Sequence, residues 1–334
     1  MNSVPDPRII DAVALSTPES ESLRFLPEGP LPLPLADCVS WVGIQHGSDS
    51  QHGSINLLNL ATGENQTFDL PGRPGFAVAC SGSAKGESPT RFVAGVERAL
   101  GIFDVADRSW TPFCEGVDAD VDNTIINDAV VWGDNLIFGT KDLDFSEKKA
   151  GLYLYRGRDR ALIRLRDDQV CSNGKMIRGD GSGQLQLIDI DSPTKKIVQY
   201  DLDIEAGTIG AERVLVDLTD GSGVPDGAIL TPDGAGVIVS IYQPDVAEYG
   251  ETRQYDLTTG RLQCVWRTPG SPQNTCPALV VVEGRVRLLI TTAVENMPGE
   301  NRAQCPQAGQ LFLADTDFAD PAAIAAPVFE WGGV

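Results

Sequence analysis

A β-hairpin pattern recurs six times along this 334-residue chain. Each copy has a run rich in β-branched and aromatic residues, a short turn, and a second run of the same kind. The six copies are Ser54–Leu70, Leu100–Phe113, Gly151–Leu165, Ile197–Asp217, Thr252–Trp266 and Gln310–Trp331. Successive copies start roughly 45 to 60 residues apart, which suits one four-stranded propeller blade with its loops. The repeat therefore predicts an all-β fold, a six-bladed β-propeller.

The rest of the sequence agrees with many short strands. The 35 glycines and 22 prolines are spread along the chain instead of being clustered. Each possible amphipathic helix is interrupted by Gly, Pro or a period-two pattern, which excludes α/β barrels and doubly wound folds. Because a closed ring of blades is one unit and no internal linker stands out, we expect residues 1–334 to form a single domain. The inner strands are expected from the apolar runs Cys38–Ile44, Phe76–Cys80, Ala129–Phe138, Ala235–Ile241 and Leu279–Ile290.

The charge balance limits the possible partners. With 47 acidic and 26 basic side chains, the formal net charge is −21. Such a charge repels phosphate backbones and anionic lipids, so neither nucleic acid nor membrane is an expected partner. The seven cysteines include no Cys-x-x-Cys pair, which favours buried thiols over disulfides or a zinc ribbon. The N-terminus lacks a basic segment followed by an apolar run, and the expected location is cytoplasmic.

Ordinary hydrolase and nucleotide-binding machinery is not expected. The two histidines, His46 and His52, share one polar segment, Gln45–Ser54. Neither a Gly-x-Ser-x-Gly elbow nor a Gly-x-x-x-x-Gly-Lys phosphate loop occurs in the chain. Catalysis by a Ser-His-Asp triad would have to be built from that single segment.

Four oxygen-bearing side chains stand at equivalent places, namely Glu28, Asn127, Asn173 and Asp226. Each lies at the N-terminal end of a predicted inner strand, which in a propeller is the rim of the central channel. Taken singly, each residue lies in a short segment whose composition is typical of an ordinary turn. Their recurrence, one per blade, favours a shared site. Two carboxylates and two amide oxygens suit Ca²⁺, Mg²⁺ or Mn²⁺.

These segments resemble the SMP-30/gluconolactonase/LRE-like family, also described as regucalcin-like. The resemblance implies one divalent ion in the channel, most readily Ca²⁺ and alternatively Mg²⁺, Mn²⁺ or Zn²⁺, held by Glu28, Asn173 and Asp226. The similar segments follow one order along nearly the whole chain: Glu28-Gly29-Pro30, Ser40–Ile44, Asn127-Asp128, Phe138-Gly139-Thr140, Ser172-Asn173-Gly174, Pro225-Asp226-Gly227, Asn274–Pro277, Ile290–Ala293 and Ala308–Phe312.

The resemblance also implies an activity. Members of the family are mostly lactone hydrolases acting on sugar lactones or related esters, and the aspartate of Pro-Asp-Gly is a favoured general base. We therefore expect a small-molecule lactone or ester substrate and assign water activation to Asp226. Asn127 is expected to reach the substrate or the metal shell, and Asp128, Lys141 and Asp144 to contact the substrate.

Two departures from the family pattern bear on the substrate. The family often has arginine where this chain has Ile125, and often methionine where this chain has Lys141. Lys141 is a candidate replacement for the missing cation, and the change argues against gluconolactone itself. Two alternatives stay open: a propeller of the same fold hydrolysing another ester such as a phosphotriester, and a non-enzymatic calcium-binding or scaffold propeller.

Overall fold

Short strands that end at glycine, asparagine or aspartate turns make up nearly all of the regular structure. The computed structural model describes residues 6–82 and 86–332, and its strands form six separate sheets. The six-bladed β-propeller predicted from the repeat is thereby confirmed. Two N-terminal strands, β1 (Arg8–Asp11) and β2 (Val13–Ala14), precede the blades.

The first three blades are four-stranded and antiparallel, and each runs from the channel outwards. Blade 1 consists of β3 (Pro27–Pro32), β4 (Cys38–Gly43), β5 (Ser54–Asn59) and β6 (Asn65–Asp69). Blade 2 consists of β7 (Pro74–Ala79), β8 (Arg91–Val96), β9 (Ala99–Asp104) and β10 (Ser109–Cys114). Blade 3 consists of β11 (Thr124–Trp132), β12 (Asn135–Asp142), β13 (Ala150–Arg156) and β14 (Ala161–Gln169).

The last three blades repeat the arrangement with modified outer edges. Blade 4 consists of β15 (Ser172–Gly179), β16 (Leu185–Asp191) and β17 (Lys196–Asp203), edged by β18 (Thr208–Ile209) and β19 (Arg213–Asp217). Blade 5 consists of β20 (Val224–Leu230), β21 (Gly236–Tyr242), β22 (Tyr249–Asp256) and β23 (Leu262–Pro269), with β1 added in parallel. Blade 6 consists of β24 (Asn274–Val282), β25 (Arg285–Thr292), β26 (Phe312–Asp315) and β2.

Helices are few and short. They are the helix α1 (Gly299–Arg302) and the 3-10 turns Ser192–Thr194 and Pro321–Ala323. Within the part of the chain that the structure describes, no helix has the length and apolarity needed to cross a membrane.

Apolar layers between neighbouring blades close the ring. The innermost strands contact one another in order, and β24 of blade 6 returns to β3 of blade 1. At this junction Trp41 and Leu58 of blade 1 are fully buried in one cluster with Leu289 and Leu311 from blade 6. Each fully buried leucine or isoleucine of this kind contributes about 1.5–3 kcal/mol of apolar transfer free energy. The channel is therefore surrounded by a rigid, packed frame.

The prediction of a sixth hairpin at Gln310–Trp331 is wrong. The other five predicted hairpins form the outer strands of blades 1 to 5. Only β26 forms, and its outer neighbour is β2 from the opposite end of the chain. Pro321 and Pro327 interrupt the following segment, and proline cannot donate to a ladder. That segment runs instead to blade 2, where Phe329 forms a parallel bridge with Cys80.

Every innermost strand is irregular near its N-terminal end. The ladder to the second strand shifts register there in all six blades, which is the mark of a β-bulge. The shifts lie at Glu28/Leu31, Pro74/Phe76, Ile126/Ala129, Asn173/Met176, Pro225/Ala228 and Asn274/Pro277. Bulges redirect side chains, and four of these six contain a residue of the predicted site. The bulges thus determine where the site lies.

Candidate active site

One cavity of about 710 Å³ at an end of the channel brings most of the predicted site together. Its lining includes all three predicted metal ligands and three of the four predicted substrate contacts. These are Glu28, Asn127, Lys141, Asp144, Asn173 and Asp226. The side chains come from the starts of innermost strands, from the end of the second strand β12 and from the segment that follows it.

A hydrogen-bonded amide pair spans blades 3 and 4 inside this cavity. Asn127 donates from Nδ2 to Asn173 Oδ1 at 2.7 Å and to the Ser172 carbonyl at 3.0 Å. Asn173 in turn donates from Nδ2 to Ser192 Oγ at 2.9 Å, which orients its amide oxygen away from Ser192. Asn127 Oδ1 accepts no hydrogen bond from the described residues. Two amide oxygens are thus presented on this side of the channel.

The glycines of the Ser-Asn-Gly and Pro-Asp-Gly segments are required by close packing at the axis. Gly174 has φ +54°, and a Cβ there would lie 2.5 Å from Ile190 Cδ1 and 3.1 Å from the Asp226 carbonyl oxygen. A Cβ on Gly227 would lie 2.5 Å from Cys276 Sγ. A larger residue at Gly227 would press on Cys276 of blade 6, and one at Gly174 would be strained by the positive φ and by Ile190 of its own blade. The glycines therefore set the spacing of the side chains that precede them.

Glu28 and Asp226 are two carboxylates that repel each other deep in the channel. Burial, reinforced by the charges of Asp226 and Asp128, raises the pKa of Glu28 well above its usual value. Burial also raises the pKa of Asp226 well above its usual value; Lys141 opposes this effect, while Asp128 and Glu295 add to it. The one hydrogen bond to the Glu28 carboxylate from the described residues is the Gly29 amide, at 2.9 Å. Half-buried carboxylates that lie close together and are so poorly compensated are suited to a bound cation.

The chemistry of the available donors fits a hard divalent cation. No group of three or more His, Cys, Asp or Glu side chains in residues 6–82 and 86–332 is arranged as a metal cluster, so amide oxygens are needed to complete a site. Two thiols lie nearby, but burial raises the pKa of both Cys171 and Cys276, which keeps them neutral. Neutral thiols are poor metal ligands. The remaining donors are oxygens, as Ca²⁺ and Mg²⁺ prefer.

Lys141 is a buried cation with its charge directed into the cavity. Lys141 is 4% exposed, and its ammonium makes no hydrogen bond or ion pair with a described residue. Its ammonium lies 5.8 Å from the centroid of the Phe145 ring. In the blade 3 ladder Lys141 is directly opposite Ile125, so the two side chains are cross-strand neighbours. The lysine therefore adjoins the position where the family often has arginine.

Asp144 and Asp128 occupy different surroundings. Asp144 is exposed at the mouth of the cavity, where its Oδ2 accepts from Asn123 Nδ2 at 2.8 Å. Asp128 lines a second cavity of about 450 Å³, together with Pro30, Ala228 and Pro277. Its Oδ1 accepts from the Ala129 amide at 2.7 Å. The structure does not bring Asp128 into the cavity that holds the other site residues.

Several lining residues carry no motif and were not predicted. They lie at the ends of second strands or in the segments that follow, and include Ser192, Lys195, Tyr242 and Glu295. In an antiparallel blade the second strand ends where the innermost strand begins, so both meet at the same end of the channel. Residues at the ends of the predicted second strands could have been assigned to the site by this rule.

The sequence profile of the SMP-30/gluconolactonase/LRE-like region matches residues 26–294. The chain belongs to this family. Among curated relatives, a putative sugar lactone lactonase YvrE of Bacillus subtilis (strain 168) is 29% identical over 181 residues. That match covers 54% of this chain and 57% of the relative. An uncharacterized protein of Sulfolobus acidocaldarius is 35% identical over 96 residues, which covers 29% of this chain and 34% of that protein. The chain thus aligns with less than two thirds of either relative.

Solved structures share the fold of this chain. The calcium-binding protein regucalcin from Agrobacterium tumefaciens superposes with a TM-score of 0.77 at 20% identity, covering 98% of this chain and 100% of that one. A gluconolactonase from Xanthomonas campestris superposes with a TM-score of 0.60 at 15% identity, covering 93% and 95%. At these identities the likeness shows the fold.

Proposed function

We propose that this protein is a divalent-metal-dependent lactonase that opens a sugar lactone or a related cyclic ester. The observation that carries the proposal is the pair of mutually repelling carboxylates, Glu28 and Asp226, which line one cavity with two amide side chains. Membership of the family supports the reaction class.

Glu28, Asn173 and Asp226 would hold the cation, with Ca²⁺ preferred because the donors are all oxygens. A divalent ion supplies Lewis-acid polarisation of an ester carbonyl and lowers the pKa of water. Asn127 would orient the substrate through its free amide oxygen. Lys141 would balance negative charge that develops on the substrate near the two carboxylates.

Asp226 is the proposed general base. Its carboxylate takes a proton from the attacking water as the water oxygen bonds to the carbonyl carbon of the lactone. The bond between that carbon and the ring oxygen then breaks. The proton passes to the departing alkoxide, and the product is an open-chain hydroxy acid.

Substitution of Asp226 by Asn tests this assignment. The amide keeps one oxygen for the cation but cannot accept the proton of water. We expect Asp226→Asn to bind metal with reduced affinity in calorimetry and to lose about 10²–10⁴-fold in kcat on the best lactone found. Asp201→Asn, which removes an exposed charge of blade 4, is the matched control and should keep wild-type turnover. Near-normal turnover by Asp226→Asn would assign the base elsewhere.

Removal of metal tests the cofactor separately. Chelation should abolish hydrolysis, and Ca²⁺, Mg²⁺, Mn²⁺ or Zn²⁺ should restore it to different degrees. Full activity of a sample verified to be metal-free contradicts the mechanism. Tight metal binding with no turnover across lactones and phosphotriesters would instead identify a non-enzymatic calcium-binding propeller.

A further inference from the structure

The cavity lining combines the carboxylates Glu28 and Asp226 with polar side chains such as Lys195, Gln243 and Asp245 and with several apolar side chains. The apolar side chains come from the segment that follows β12, from the end of β21 and the segment after it, and from residues that flank strands of blade 1. The apolar side chains that line this region are Leu26, Ile44, Leu143, Phe145, Tyr242 and Pro244. Hydroxyl groups of a polyhydroxylated ring that packs against Leu143, Phe145 and Pro244 would lack hydrogen-bond partners there, which disfavours that placement. These three side chains are called the apolar wall.

Phe145 has two features that core packing does not explain. Its side chain is exposed, with 48% of the residue accessible, and its backbone is left-handed with φ +51°. A bulky aromatic residue rarely adopts this conformation, and strained backbone of this kind is concentrated at functional sites. The ammonium of Lys141 lies over the Phe145 ring, 5.8 Å from its centroid, so the ring adjoins the charged part of the cavity. Phe145 is therefore placed to contact a ligand.

The segment that carries Phe145 is held in place before any ligand binds. Asp142, which is fully buried, accepts from the Ser146 and Glu147 amides at 3.0 Å each and pairs with Lys149 Nζ at 3.1 Å. These contacts fold residues 143–149 around one carboxylate. A preorganised wall loses little entropy when a substrate arrives, so it can determine specificity.

We propose that the substrate is a cyclic ester that carries an apolar alkyl or aryl substituent, and that Phe145 is a specificity-determining residue. The ester lies over Glu28 and Asp226, while the substituent packs against Phe145, Leu143 and Pro244. This inference rests on the proposed lactonase function and narrows its substrate class. It places polyhydroxylated sugar lactones below alkyl-substituted and aryl-substituted lactones.

A homologous series of γ-lactones measures the contribution of the wall. With side chains from methyl to hexyl, kcat/KM of the wild-type enzyme should rise about threefold to fourfold per methylene until the wall is covered. Phe145→Ala should flatten this slope, and Phe145→Leu should restore part of it. Val214→Ala, which shortens an exposed apolar residue on blade 4, should leave the slope unchanged. Glucono-δ-lactone should be a poorer substrate than the hexyl compound.

The outcomes separate this inference from the proposed function. Hydrolysis of lactones with no dependence on chain length, or with glucono-δ-lactone preferred, overturns the apolar-substituent assignment and leaves the lactonase standing. A slope that survives in Phe145→Ala overturns the role of Phe145. Should no lactone be hydrolysed, the lactonase proposal fails, and calorimetric binding of the same series to wild type and Phe145→Ala then decides the role of the wall.

Discussion

Lys141 carries the positive charge that opposes the carboxylates of Glu28 and Asp226 in the cavity. It stabilises the ionised forms of Glu28 and Asp226 and also repels a cation bound between them. We expect Lys141→Met, which keeps the apolar stem, to tighten Ca²⁺ binding in calorimetry while kcat falls by about 10²-fold. Lys148→Met, at an exposed position nearby, is the control and should change neither. A simple packing defect would weaken both binding and turnover.

Cross-strand pairing with Ile125 allows the charge to be moved without being removed. In the double variant Ile125→Lys/Lys141→Ile, the charge and the total volume are kept on the same face of blade 3. We expect this exchange to recover part of the turnover lost in Lys141→Ile alone. If the exchange variant melts at the wild-type temperature but is as inactive as Lys141→Ile, the position of the ammonium matters and not only its presence.

The site residues that could be predicted are those whose sequence context recurs from blade to blade. Glu28, Asn127, Asn173 and Asp226 recur at the starts of innermost strands, so their shared cavity could be predicted. Asp128 directly follows Asn127 yet lines the second cavity, since successive side chains of a strand point in opposite directions and the ladder also shifts register between Ile126 and Ala129. A bulge depends on tertiary packing, and its effect on side-chain direction cannot be obtained from a local pattern.

At the scale of single elements, the segment after β12 depends on one carboxylate. Burial disfavours the ionised form of Asp142, but hydrogen bonds from the Ser146 and Glu147 amides and from Lys149 outweigh it and lower its pKa to about 2. A lowered pKa in the folded state means that the ionised group stabilises the fold above its unfolded pKa of about 4. That stabilisation is lost as the pH falls from about 4 to about 2.

The pH dependence of Asp142→Asn tests this anchor. The melting temperature of the variant should lie below that of the wild type by a constant amount above about pH 5. The difference should shrink as the pH falls towards 2, because the wild-type carboxyl then becomes protonated as well. Asp144→Asn, with an exposed carboxylate in the same segment, is the control. A difference that does not depend on pH would mean that the carboxylate charge is not what holds the segment.

At the scale of single elements, the outer strand of blade 6 could not be predicted from the sequence. Five hairpins could be predicted because both strands of each are adjacent in sequence and joined by a short turn. The outer strand of blade 6 comes from the other end of the chain, since β2 pairs with β26 through Val13↔Leu313 and Ala14↔Phe312. Sequence periodicity reports local pairing and contains no information about a partner some 300 residues away.

At the scale of the whole molecule, the N-terminal strands should determine how well the ring stays closed. β1 adds to blade 5 and β2 completes blade 6, and the Leu15 amide donates to the Leu311 carbonyl at 2.7 Å. Deletion of residues 1–14 would expose the edges of β23 and β26, which favours opening and edge-to-edge association. We expect a melting temperature lower by several degrees and association detectable by light scattering. Lactone turnover at low temperature should be preserved, because the innermost strands are untouched.

Deletion of residues 1–7 is the matched control, since it leaves both strands in place. An unchanged melting temperature after the longer deletion would mean that interblade packing alone, such as that of Trp41 against Leu289, keeps the propeller closed.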